Sequence, residues 1–210
     1  MEQAALRLFA DAQFASPYAM SVFVALSEKK LAFEVTTVNL AASENKEADF
    51  SSKSTTRRVP TLQQGSFFLT ESSAITEYVD ETFPGTALYP TDRQNRAKAR
   101  QVQAWLRSDL LALRQERSTE VVFYGTKAQP LSAAAQEAAE KLIAVAEAWL
   151  PVDEEHLCGQ WSVADVDLAL MLQRLALHGD PLPERLAAYT SRQWERPTVQ
   201  NWVKRTRPEL

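Results

Sequence analysis

The strongest constraint on this chain is where its strand signals stop. Residues 5–83 alternate strand-like and helix-like patterns, whereas every periodic segment after the connector PGTALYP (84–90) reads as helix. A sheet must therefore be completed early, with helices from the same stretch covering it. Leu6 to Phe9 is a short apolar run. Residues 17–30 carry Tyr18, Met20, Val22, Phe23, Ala25 and Leu26, with little polar surface until Glu28, Lys29 and Lys30. That spacing predicts a buried helix with lysines at the negative end of its dipole. AFEVTTVNL (32–40) is rich in β-branched and aromatic residues and predicts a strand. A strand–helix–strand crossover makes its two strands parallel. VPTLQQGSFFLTES predicts a hairpin, with strands at 59–63 and 66–70 about Gln64-Gly65. From Ser72, a suitable cap, Ile75, Tyr78, Val79 and Phe83 recur at helical spacing. Residues 41–58 are polar and read as irregular.

The expected fold is thus an α/β unit with a mixed four-stranded sheet (βαβ-ββα) at 1–83, a linker at 84–90 and an all-helical unit at 91–210. In the helical part, TDRQ (91–94) fits a capping box with Thr91 as cap, and Ala99, Val102, Leu106, Leu110 and Leu113 mark one face. An alanine-rich helix at 132–150 ends at Pro151, another spans 162–178, and short helices follow at 183–189 and 197–206.

Composition narrows the function classes. The 210 residues carry a net charge of −4 with acids and bases mixed, so neither a nucleic-acid footprint nor a polybasic membrane surface is expected. With one cysteine, Cys158, and two histidines, His156 and His178, a metal centre has few ligands, and none is expected. The lone thiol fits a reducing, cytoplasmic setting, and the start MEQAALRLF reads as no signal peptide.

Four short motifs sit at informative places: SPY (16–18), VP (59–60), ES (71–72) and WSVAD (161–165). Pro17 suits the first helical position and Ser16 the cap before it. Capping accounts for both residues without a function. Glu71-Ser72 reads as plain capping with a favourable acid at a helix start. Pro60 fits an ordinary strand start as well as a cis bond. Ser162 and Asp165 read as a capping box, a folding element rather than a site.

In their order and spacing these motifs resemble the glutathione S-transferase superfamily, over nearly the whole chain and in its serine-type, thioredoxin-like form. The resemblance implies that Val59-Pro60 is cis and presents the Val59 backbone to the cysteinyl part of glutathione. It implies that Glu71 and Ser72 hold the γ-glutamyl end, and that a cation among Lys46, Lys53, Arg57 and Arg58 meets the glycine carboxylate, with Arg57 and Lys53 preferred. STTRR stands where many relatives have an Asn-Pro turn. Ser16 is the implied catalytic donor and Tyr18 its rival. Phe14, Tyr18, Trp105, Arg107 and Tyr124 are candidates to line a co-substrate pocket. The implied activity is glutathione transfer to small electrophiles or glutathione-dependent reduction of hydroperoxides, with glutathione as co-substrate, no metal and a homodimeric assembly. The acidic DET (80–82) and basic RQNRAKAR (93–100) are candidates for that interface. A cis–trans isomerase fits the same site, and the alternative of another class is a non-catalytic binding or stress-regulatory module.

Overall fold

The computed structural model describes residues 5–210. Its chain forms two compact units, one running up to Leu88 and including Asn201–Leu210, the other Tyr89–Gln200.

The first unit is built on strands β1 (Leu6–Asp11), β2 (Phe33–Val38), β3 (Thr61–Gln64) and β4 (Phe67–Thr70), in the order β2-β1-β3-β4. β1 and β2 are parallel, and the remaining pairs are antiparallel. Helix α1 (Pro17–Glu28) makes the crossover between β1 and β2 and packs with α3 (Ser72–Thr82). Residues Ala19 to Leu26 of α1 are all buried, as a run that is apolar except at Ser21 requires. The lysines differ from expectation. Lys29 lies beyond the last turn and is buried, with Nζ 3.0 Å from Asp80 Oδ1 and donating to the Phe83 carbonyl at 2.8 Å. It ties the end of α1 to the end of α3 rather than facing solvent. That pairing also buries Asp80, which removes it from a charged interface built on DET.

Two further differences lie in the connection after β2. The stretch read as irregular contains a 3₁₀ turn at Glu44–Lys46 and helix α2 (Ala48–Lys53). Phe50 explains α2: its ring meets Phe9 edge-on at 5.8 Å, and Val38 completes a buried cluster with Val59 and Phe68 packed against it.

The second unit holds α4 (Arg93–Ser108), α5 (Leu111–Glu116), α6 (Thr119–Tyr124), α7 (Ala133–Trp149), α8 (Val163–Ala176) and α9 (Glu184–Trp194), with α10 (Pro197–Val203) following. The cap of α4 is Asp92, not Thr91: its Oδ1 accepts from the Asn95 amide at 2.9 Å. Helix α8 is the core element, buried from Val163 to Leu175 except at Asp167. Its start is the expected capping box, with Asp165 accepting from the Ser162 amide at 2.9 Å and its hydroxyl at 3.1 Å. Asp165 also accepts from the Leu157 amide and the Tyr189 hydroxyl, which joins α9 to the cap. Burial pushes the Asp165 carboxyl above its usual range, against those hydrogen bonds. At the far end of α8, Arg117 is 1 % exposed and grips Asp180 with Nε and Nη2 while Nη1 donates to the Gln129 carbonyl.

Among the described residues no helix is long and apolar enough to cross a membrane, and no group of three histidine, cysteine or acidic side chains is placed to hold a metal.

Candidate active site in the first unit

The strand register brings the motifs to one end of the sheet. Asp11, the last residue of β1, is opposite Val38, the last of β2. In the antiparallel pairs Phe9 faces Thr61, the first residue of β3, and Thr61 faces Thr70, the last of β4. The segments leading to Ser16, through Val59-Pro60 and into Glu71-Ser72 therefore all leave or enter at the same sheet edge. Residues scattered over 56 positions of sequence become neighbours of one edge by topology alone.

Ser16 caps α1 as expected, accepting from the Ala19 amide at 3.2 Å. That bond uses a lone pair of Oγ and leaves the hydroxyl hydrogen to donate elsewhere. Capping and sulfur activation are thus compatible in one side chain. The turn before it is fixed by a residue that sequence reasoning missed. Asp11 is 3 % exposed and accepts from the Ala15 amide at 2.7 Å and the Ser16 amide at 3.0 Å. Its signal was present in ADAQFASP as an acid closing a strand just before a helix cap. Pro17 has no amide hydrogen to satisfy, so the first turn of α1 carries few orphan donors.

The Val59–Pro60 peptide is cis, as the flanking pattern led us to expect. Among the described residues none hydrogen-bonds the Val59 backbone. At α3 the structure corrects the cap: Glu71 occupies the cap position and Ser72 is the first helical residue. Glu71 is exposed with φ 68° and ψ 111°, a conformation that non-glycine residues rarely adopt, whereas Ser72 is buried. Of the cations, Lys53 lies 2.6 Å from Asp49 on the same helix and 5.9 Å from the Phe9 ring centroid. Arg57 is exposed with φ 55°, its carbonyl held by the Asn45 side chain at 2.9 Å.

The pocket candidates have different surroundings. Phe14 packs within the first unit, edge-on to Trp202 at 5.5 Å and beneath the Arg205 guanidinium at 4.8 Å. Tyr18 is half-buried in the first turn of α1. Trp105 and Tyr124 belong to the second unit, where Trp105 meets Trp149 edge-on at 5.2 Å and donates to Asp109. Arg107 pairs with Asp167 at 3.1 Å. Cys158 is buried and its thiol is pushed up to about 11, chiefly by burial and then by the Asp165 charge, so it is not a thiolate at neutral pH.

Comparison with known proteins agrees with this architecture. Residues 12–81 match the family model described as the glutathione S-transferase N-terminal domain, and residues 92–206 match that of the C-terminal domain. The chain belongs to the glutathione S-transferase family. A glutathione transferase homologue from Burkholderia gl BGR1, crystallised with bound glutathione, is 44 % identical, with 95 % of this chain and 96 % of that one aligned and a TM-score of 0.77. Human glutathione S-transferase theta-2 is 32 % identical over 101 residues, 48 % of this chain and 41 % of its own length. Maleylacetoacetate isomerase from Dictyostelium discoideum is 33 % identical over 94 residues, 44 % of this chain and 43 % of its own. The chain spans less than half the length of these two curated relatives in the matched regions.

Proposed function

We propose that this protein binds glutathione at the sheet edge of its first unit and activates the tripeptide's sulfur at Ser16. The carrying observation is the convergence there of a capped helix start, a Val59 backbone that no described residue hydrogen-bonds, and the Glu71-Ser72 start of α3. In this reading Val59 pairs with the cysteinyl backbone as an added strand would. Glu71 takes the γ-glutamyl ammonium, while Ser72 and the α3 N-terminus take its carboxylate. Arg57 or Lys53 meets the glycine end. Pro60 sets the direction of the Val59 peptide.

Ser16 then donates its hydroxyl hydrogen to the sulfur, and the α1 N-terminus adds partial positive charge. A thiol pKa of about 8.5 falls to roughly 3.5–7.5 at such helix ends, which makes the nucleophile available at neutral pH. The thiolate attacks an electrophilic carbon and a leaving group departs with its electron pair. Attack on a hydroperoxide oxygen instead releases the alcohol and leaves a sulfenic acid, which a second glutathione converts to the disulfide with loss of water. A second reading, thiolate addition to a cis-olefin followed by rotation and elimination, is favoured by the likeness to a maleylacetoacetate isomerase. The resemblance that supports the reaction also supports a homodimer, tested by sedimentation.

Turnover of a chromogenic electrophile, an organic hydroperoxide and a maleyl substrate, measured beside glutathione calorimetry, separates these activities. Ser16→Ala should lower kcat/KM by about 100-fold, as loss of one donor to a developing anion does. Its glutathione affinity should be unchanged at low pH, where the sulfur is a thiol both free and bound. Wild-type turnover in that variant would reject Ser16 as activator. Tight binding without any turnover would favour the non-catalytic module.

A further inference from the structure

The turn that carries Ser16 is held from two sides. Asp11 closes it from within, as described. From outside it is gripped by a segment 193 residues further along the chain. Arg207 donates from Nη2 to the Phe14 carbonyl at 3.2 Å and the Trp202 carbonyl at 3.1 Å, and from Nη1 to the Val203 carbonyl at 2.7 Å and the Arg205 carbonyl at 2.9 Å. One guanidinium therefore binds the turn and the end of α10 together, its planar fork reaching more carbonyls than a single ammonium nitrogen does. Phe14, the residue so held, has φ 48°, a left-handed conformation that a phenylalanine adopts only under external constraint. The constraint is visible on the ring as well. Trp202 meets it edge-on at 5.5 Å, and the Arg205 guanidinium stacks 4.8 Å from the Phe14 centroid and 4.8 Å from that of Phe23 in α1. All of these residues belong to the first unit.

We propose that Arg207, supported by Arg205 and Trp202, is a positioning residue for Ser16: it fixes the strained turn at Phe14, and so sets the place of the Ser16 hydroxyl and of the α1 N-terminus against the glutathione sulfur. This rests on the reading of Ser16 as activator. The tail touches neither Val59 nor Glu71 through any described hydrogen bond, so it acts on ionisation of the sulfur and on kcat, and not on capture of the tripeptide. A displacement of the donor by a fraction of an ångström is enough to weaken a hydrogen bond to the anion.

The test is an ultraviolet titration of bound glutathione, paired with pH–rate profiles, in wild type, R207M, R207K and S16A. R207M keeps the apolar stem and loses every donor. It should shift thiolate formation to higher pH and lower kcat below neutrality by roughly tenfold, a typical response to a misplaced catalytic group. Its calorimetric affinity for glutathione at low pH, where free and bound sulfur are both thiols, should stay within about twofold of wild type, since the binding contacts are untouched. R207K, with the charge and a single donor nitrogen restored, should fall between the two. If R207M does not fold by circular dichroism, the R207K titration decides alone. A wild-type titration and profile in whichever variant folds, with only thermal stability lowered, overturns the proposal and leaves Arg207 a structural clamp. S16A separates the two ideas. A shifted S16A beside an unshifted R207M rejects the clamp alone, whereas an unshifted S16A rejects the reading of Ser16 and the proposal with it.

Discussion

Glu71 and Ser16 illustrate how much a single residue is asked to do at this sheet edge. Ser16 serves the helix with a lone pair and has its hydrogen to spare. Glu71 instead sits in a backbone conformation better suited to glycine, φ 68° and ψ 111°, and no hydrogen bond from its side chain caps α3. Such strain persists where a function needs the side chain in place. Glu71→Gly should therefore stabilise the protein by about 1 kcal/mol, read as a higher melting temperature, because glycine meets that backbone without a Cβ clash. If Glu71 takes the γ-glutamyl ammonium as proposed, the same variant should weaken glutathione binding by about tenfold or more. A less stable Glu71→Gly variant would show that the conformation carries no strain. The local structure at this edge was partly legible in the sequence: Ser16 caps α1 and Val59-Pro60 is cis as expected, whereas Glu71 rather than Ser72 occupies the cap position of α3. The part played by Asp11 was not legible, because an acid at a strand end looks the same whether it faces solvent or two buried amides.

At the scale of elements, local chemistry was read well where it is self-contained. The α8 cap is an example: Ser162 and Asp165 lie three residues apart, and the bond between them needs nothing from elsewhere. Ser162→Ala should cost about 1 kcal/mol of stability, as cap losses do, measured as a lower denaturant midpoint. An unchanged midpoint would mean that Asp165, held also by Leu157 and Tyr189, carries the corner alone. Local reading failed where a distant partner decides. Residues 48–53 became helix because Phe50 finds Phe9 in β1, and a polar stretch gives no hint of that. Asp92 displaced Thr91 as cap of α4, since both are good caps and spacing alone does not choose between them. Lys29 looked like a solvated helix end and is an anchor to α3, because its partner Asp80 belongs to a helix read separately.

On the scale of the whole molecule, charge pairs set the response to acid. Arg117, through its hydrogen bonds, holds the Asp180 carboxyl below its ordinary value of 3.8, and Lys141 leads the contacts that bring Asp109 to about 2. A carboxyl whose pKa is depressed by folding contributes stability above its unfolded value and loses it as pH falls through the folded one. Asp180→Asn should therefore melt below wild type near neutrality, and the gap should narrow as pH falls below the ordinary carboxylate range. A gap that widens in acid would reverse the assignment. No periodicity announced that Arg117 would be buried with Asp180, nor that residues 201–210 would pack with the first unit. Both depend on tertiary closure over long stretches of chain.

The seating of Arg207 on the Phe14 carbonyl has a bearing on biosynthesis. The ribosome delivers the opening strand and turn long before it delivers their clasp, and 193 residues of translation separate the two. A nascent protein thus holds its opening strand and turn before their clasp exists, so the Phe14 turn is secured only late in synthesis, however early the first sheet has folded.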